Sequence, residues 1–497
     1  MVYWIKRKKI LAAIRGGFRG GSLEMFQKIK AMFGAQDMTV GRPFSCLLQF
    51  AVPLLIGNIA QLLYTTADAA VVGNYMGELG DAALAAIGAS MPPYNFFLVL
   101  FMGIGSGVTV MVSQYYGAKD FDNLGLSIGN SITMIAIASV FVTAVATPLV
   151  GPLLRLVNTP PEAAAMAKMY LTILFIGSIG NGFYNCLSSI LRGLGESVFP
   201  LVILLLTVVL NVGLDIWFVA GFGLGAPGAA IATVISQFLS SIICLIKIVT
   251  MRDIVHIRAH MLRPVRRIVG QIITLGGPNA MSQGVMFAST VFVQALVNSM
   301  GQMVLTAITV TQRLDAYAVI PSMTFQVVAS TYTGQNVGAG DMDRVKRGSI
   351  TVFLMSLVFT SVMVISMLLF GRHMLGLFTK TEAIINMSMT FVRIMVPAYL
   401  AMTLSGTWMG VMRGAGDSIA PMWIALFNNV IMRVPLSYLI AFLTRSDANP
   451  NGNPNSIFLS LLIAMLIGCG ITTIYYRSGK WRGKSIVGKD SLNFDVV

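Results

Sequence analysis

An all-α polytopic membrane protein, with twelve transmembrane helices in two six-helix bundles related by internal duplication, is the fold the sequence predicts. Three observations lead there. Hydrophobic residues make up 56% of the 497 and charged residues 11%, with a mean hydropathy of +0.78. A soluble globule carries charge on about a quarter of its residues, so this chain uses lipid as solvent. Two segments 221 positions apart, CLSSILRGLGESVFP at 186–200 and TWMGVMRGAGDSIAP at 407–421, share an Arg-Gly-x-Gly-acid-Ser core followed by Pro. The same offset carries Gln114, Gly117, Asp120 and Asp122 onto Gln335, Gly338, Asp341 and Asp343, and Leu84, Ala86 and Ile87 onto Leu305, Ala307 and Ile308. Each copy holds six apolar stretches long enough to cross a hydrocarbon core of ~30 Å at ~1.5 Å per residue, and internal repeats are a common way to build secondary transporters.

In chain order the stretches run roughly 50–73, 85–113, 128–151, 165–190, 199–220, 227–250, 268–295, 304–333, 348–370, 386–411, 418–443 and 457–476. The second of each half is longer than a span needs, and Pro92, Pro93 and Pro321 mark where it bends or tilts. Pro53 in the first stretch and Pro278 in the seventh correspond, which predicts a backbone break shared by the repeats and makes Pro53 a hinge candidate. The organisation expected is a basic tail at 1–45, a six-helix lobe at 46–250, a connector at 251–267, a second lobe at 268–476 and a tail at 477–497. Within the first tail, Phe26, Ile29, Met32 and Phe33 alternate with lysines at helical spacing, the pattern of an interfacial helix over 22–34. Cys46, Cys186, Cys244 and Cys469 lie in or beside apolar stretches and read as small buried hydrophobes, not a disulfide framework. His256 and His260 stand four apart without a carboxylate or thiolate cluster, so the connector reads as a solvated loop, not a metal site.

Charge placement predicts orientation. With both termini in the cytoplasm, 26 of the 34 Lys and Arg residues fall on the inner side, Arg192 and Arg413 among them, and five on the outer. The formal charge of +15 is then topology and anionic-lipid contact, not a nucleic-acid footprint. The location expected is a prokaryotic plasma membrane, and the chain is expected to act as a monomer. No P-loop, GxSxG or HExxH appears, and Gly103, Gly105 and Gly107 follow no βαβ unit, so they read as close helix packing. The expectation is a transporter driven by an ion gradient, neither an enzyme nor a holder of an organic cofactor.

Only Asp68, Asp215 and Asp315, of nineteen acids, fall well inside apolar stretches, where an ionisable group is costly and marks function by default. Asp68 and Asp215 each lie about five residues from the outer end of a stretch and so at one depth, with Asn211 one turn from Asp215 and Thr233 and Tyr170 at a similar level. Two acids, an amide, a hydroxyl and a phenol form a candidate site for H⁺ or Na⁺, since oxygen-only ligation suits a hard ion such as Na⁺ and two close carboxylates can share a proton. In the second repeat Asp215, Asn211 and Tyr170 become Leu436, Met432 and Phe391, and Asp68 becomes Phe292 or Val293. That asymmetry favours function over scaffold. Asp315 is level with Arg433, and because an unpaired buried charge is expensive the two are expected to pair. Met286, Met303, Met402 and Met409 are candidates for a permissive apolar cleft.

With its twelve stretches in two halves, Val52-Pro53 and Asp68 in the first, the Gln114/Gly117 and Gln335/Gly338 loops and the paired Arg-Gly-x-Gly loops, the chain from about 45 to 476 resembles the multidrug and toxic compound extrusion (MATE) family. That resemblance implies two six-helix bundles around a central cleft, exchanging H⁺ or Na⁺ for cationic or amphipathic drugs. It is closer to the DinF-like branch, whose coupling acids lie in the first half, or to the related prokaryotic multidrug branch, than to the NorM-like branch, whose acids lie on the seventh and tenth spans. Two alternatives stay open. A flippase for lipid-linked anionic sugars needs cations in its cleft; the first half shows none within its spans, but Arg313 and Arg433 in the second half keep this reading open. A non-transporting receptor or scaffold leaves the matched acids unexplained.

Overall fold

The computed structural model describes residues 34–75, 80–447 and 449–487, without the side chains at 63, 65–75, 80 and 81. The described residues are helical almost throughout: α1 (Pro43–Tyr75), α2 (Gly80–Gly117), α3 (Phe121–Leu156), α4 (Pro161–Ile176), α5 (Ser178–Gly193), α6 (Val198–Asp215) and α7 (Gly225–Thr250) in the first half, then α8 (Arg266–Ser299), α9 (Gln302–Gly338), α10 (Met342–Gly376), α11 (Glu382–Gly414), α12 (Ile419–Leu426), α13 (Arg433–Leu443) and α14 (Asn455–Ser478) in the second. Wider π-type turns join α6 to the loop at Ile216–Gly221 and α12 to α13 at Phe427–Met432. Eleven helices among the described residues are long and apolar enough to cross a membrane, and the bent pair α4/α5 makes a twelfth. Their outer faces present Val209, Leu369 and Ile474, each more than two-thirds exposed, as lipid-facing helices require. The four cysteines are free, three of them buried.

The stretch expected at 165–190 is one span broken by 47° at Gly177. A Cβ on Gly177 would lie 2.2 Å from Val234 Cγ2, so α7 seats in the break. Thr143 Oγ1 donates to the Phe175 carbonyl at 2.9 Å and satisfies a group the break exposes.

Two features join the halves. The first helix of each half crosses into the other's core: Leu47, Phe50, Ala51 and Leu55 of α1 pack with Phe325, Val328 and Tyr332 of α9, while Ile268, Ile272 and Leu275 of α8 pack in the first-half cluster. The α2/α8 crossing runs on glycine, since a Cβ on Gly107 would sit 2.6 Å from the Ile272 carbonyl oxygen and one on Gly276 2.3 Å from that of Gly103. The connector is exposed over most of its length, as a solvated loop is, but it is not loose. Its backbone is tied to α3: Asn130 bonds Met261 O and the Val265 N–H, and Thr133 bonds Leu262 O. His256 and His260 are exposed on it, and no metal-ligand cluster occurs among the described residues. The interfacial helix expected over 22–34 lies outside the described residues but for Gly34.

Candidate functional site

Asp215 closes α6 and is fully buried, immediately before the π-type turn. Such turns shift the helical register by one residue and occur often at functional sites. Asn211, one turn earlier, is equally buried. In the amide orientation that complements its neighbours, Asn211 donates to Asp215 Oδ2 at 3.0 Å and to the Tyr64 hydroxyl at 3.2 Å, and accepts from the Thr233 N–H at 3.2 Å. The Thr233 hydroxyl lies 3.5 Å from the same amide. Asp215, Asn211 and Thr233 are therefore one cluster, as expected from their depths. Tyr170 is buried on α4 within the first-half core. The Asp68 side chain is outside the described residues; its backbone lies in α1, one turn past Tyr64 and hence on the same helical face. Tyr64 was missed by sequence reasoning, although its four-residue spacing from Asp68 was the available signal. A carboxylate held by an amide and ringed by hydroxyl oxygens can take up a proton or a hard cation.

Between the halves lies a cavity of about 510 Å³, the size of a drug-binding pocket, whose described lining includes none of the cluster residues. Met286, Met402 and Met409 line it, with Phe101, Asn185, Gln283 and Asn429. Met303 does not: it is 46% exposed in the first turn of α9, because the cleft-facing side of that helix begins farther along, at Ser322 to Ser330. Asn58 of α1 bridges the cavity wall to Thr324 of α9 at 2.7 Å. Arg192 and Arg413 also line it, so the first half does place a cation in the cleft. The sequence had put both in surface loops, but each occupies the last turn of its helix, α5 or α11, and faces inward.

Below the cavity, at the end where residues 36–41 and 485–487 lie, the halves close by a near-symmetric joint. The last turns of α2 and α9 meet backbone to backbone: a Cβ on Gly117 would be 1.9 Å from Gln335 O, and one on Gly338 2.0 Å from Gln114 O. Gln114 Nε2 donates to Gly414 O at 2.8 Å, and Gln335 Nε2 to Gly193 O at 3.2 Å. Each glutamine oxygen then accepts from a terminal segment, Gln335 from the Met38 N–H at 2.8 Å and Gln114 from the Ile486 N–H at 3.0 Å. The N-terminal strap is held by Arg344, whose guanidinium donates to the carbonyls of Met38, Val40 and Gly41, and by an Asp37–Lys119 ion pair. That pair and the Thr39 bonds outweigh burial and hold the Asp37 carboxyl below the usual range. The C-terminal strap is anchored by Trp481, stacked on Tyr476 and bonded to its carbonyl at 2.8 Å.

The loop after α5 carries one more perturbed acid. Glu196 is 1% exposed, and its Oε1 caps α6 by accepting the Val198 and Phe199 N–H groups at 2.9 Å. Burial pushes its carboxyl up to about 7, against the pull of those N–H groups and of Lys247.

The expected Asp315–Arg433 ion pair is not formed. Asp315 accepts instead from the Tyr399 hydroxyl, which α11 presents to it, while Arg433 lines the same 140 Å³ cavity with its Nε unpartnered. A phenol supplied by a neighbouring helix satisfies the carboxylate without a charge, so levels along the span did not decide the partner. Arg313 lies over the Phe378 ring, 5.7 Å from its centroid.

Two halves of six spans around a cavity, with a buried carboxylate at one side and a closed joint at one end, define a membrane transporter. The MatE sequence profile matches residues 53–217 and 278–439, and the chain belongs to that family of multidrug transporters. It is similar to the probable multidrug resistance protein YpnP of Bacillus subtilis, 26% identical over 453 residues that span 91% of this chain and 99% of the relative. It is also similar to the probable multidrug resistance protein NorM of Thermotoga maritima, 24% identical over 451 residues, 90% of this chain and 95% of the relative. Its fold matches a solved multidrug resistance MATE transporter of the MOP superfamily in an outward-facing conformation, with TM-score 0.81, 22% identity and coverage of 90% and 97% of the two chains.

Proposed function

We propose that this chain is a secondary antiporter of the DinF-like branch that exports amphipathic drugs and toxic compounds across a plasma membrane in exchange for H⁺ or Na⁺, working as a monomer with both termini in the cytoplasm. The observation that carries the reading is the buried Asp215–Asn211–Thr233–Tyr64 cluster, in a fold that also encloses a cavity between its halves. Asp68 and Tyr170 complete the cation site in this scheme. Cation binding there bends α1 at Pro53, whose missing N–H already weakens the helix, and lowers cargo affinity; antiport requires such differential affinity between two states. The cationic drugs anticipated from the sequence meet no carboxylate among the described lining residues, which favours amphipathic cargo without a required positive charge.

The test is dye efflux from proteoliposomes under an imposed pH gradient or Na⁺ gradient, applied separately. Wild type responds to one of them, whereas Asp215→Asn and Asp68→Asn lose gradient-driven efflux while keeping dye binding and thermal stability. Retained efflux in both variants, or efflux indifferent to both gradients, overturns the proposal.

A further inference from the structure

We propose that Arg192 and Arg413 form an anion-binding floor in the central cavity, and that the preferred cargo is an amphiphile with a single anionic group: a carboxylate, sulfonate or phosphate ester. The proposal rests on the export function above and specifies its cargo. Both arginines line the cavity directly above the joint, since the residues that follow them, Gly193 and Gly414, accept the glutamine amides that close it. Neither pairs with the acid that follows it, although Glu196 Oε2 is itself buried without a partner. Glu196 caps α6, and Asp417 accepts from the Tyr475 hydroxyl at 2.7 Å and the Ala420 N–H at 3.3 Å. Arg192 donates to the Ser189 hydroxyl at 2.8 Å, a neutral partner, and Arg413 Nε is buried without one. No carboxylate occurs among the described lining residues.

A purely structural role would have the guanidinium groups offset the helix dipoles, as each stands in the last turn of a helix. The dipoles are too weak to finish that task. Two helix ends supply about −0.5 charge each, which offsets about half of the two guanidinium charges, and neither arginine is in an ion pair among the described residues. Moreover, the terminal carbonyls are already bonded by Gln114 and Gln335. One monoanion completes the neutralisation, and a guanidinium binds carboxylate, sulfonate and phosphate through charge-assisted hydrogen bonds. The methionines and Phe101 above supply the apolar wall for the rest of the molecule.

The experiment compares sulforhodamine B, a net monoanion, with rhodamine 6G, a monocation with the same xanthene body, by fluorescence anisotropy on the full chain in phosphatidylcholine nanodiscs. Wild type should bind the anion about tenfold more tightly, the ratio expected of one charge-assisted bond. Arg192→Gln and Arg413→Gln should each weaken the anion about tenfold and leave the cation within about twofold, with partial recovery in the Lys variants. Equal or cation-preferring binding by wild type overturns the proposal even if the variants fail to fold. So do folded Gln variants that keep the anion preference. Displacement of sulforhodamine B by added phosphatidylglycerol, in wild type and not in the double variant, supports the site and assigns its natural anion to a lipid headgroup; failure to displace assigns it to a soluble amphiphile. The transport reading is scored separately in proteoliposomes. Anion-selective binding without efflux removes that reading and leaves the site, and efflux of both dyes indifferent to the arginines does the reverse.

Discussion

Replacing Gly117 by alanine should open the joint between the halves. The added Cβ would stand 1.9 Å from the Gln335 carbonyl oxygen, whereas ordinary contact begins near 3.4 Å. The obstacle is backbone, not the end of a flexible side chain, so the last turns of α2 and α9 must part by about 1.5 Å to relieve it. Four bonds of 2.8 to 3.2 Å, two at each glutamine and three of them buried, span that joint and stretch out of range together. At about 0.5 to 1 kcal/mol net each, their loss shifts the balance against the closed state by roughly 2–4 kcal/mol, or about 30- to 1,000-fold. Spin labels at Asp122 and Asp343, repeat-related exposed positions on α3 and α10, report the separation by pulsed electron resonance. Wild type should give one short distance and Gly117→Ala a second, longer population, with gradient-driven efflux lost. Gly151→Ala is the control, since a Cβ there meets nothing within 4 Å. An unchanged distance distribution in Gly117→Ala would show that the joint tolerates a side chain and that its closeness does not hold the state.

Glu196 is predicted to make stability depend on pH. Its folded value near 7 exceeds the 4.5 of the free side chain, so the folded state binds the extra proton and stability falls as pH rises from about 4.5 to 7. The full difference is on the order of 3 kcal/mol; Glu196→Gln, which cannot ionise, should flatten the melting-temperature profile over that window, and an identical slope in the variant refutes the assignment. Orientation is testable with single cysteines at Arg258 and Asn451, both exposed. An impermeant thiol reagent applied to intact cells should label position 451 and spare 258, and the opposite pattern reverses the topology.

Much of this protein is legible along the chain because helix formation, hydropathy and duplication are local. The spans follow from apolar runs, and the break at Gly177 alters the direction of the fourth span without altering its existence. Asp215 and Asn211 could be placed together because one helical turn is a fixed distance, and the second repeat's Leu436 and Met432 showed that the pair was not required by the scaffold. Where partners come from different helices, depth along the spans anticipated Thr233 beside Asn211 but was silent or misleading elsewhere. Asp315 found the Tyr399 hydroxyl rather than a counter-charge at its own level, since the facing surface of α11 is set by packing along its whole length. Arg192 and Arg413 look like inner-loop charges when counted by position, yet the last turns of α5 and α11 turn them into the cavity. The straps behave likewise: Met38 and Ile486 lie far in sequence from Gln335 and Gln114, and only the approach of the two halves makes each the other's partner. Periodicity and composition therefore determined the architecture and the first-half acid site, whereas the charge of the cavity and the means of closing it arise from contacts between helices, which no local pattern records.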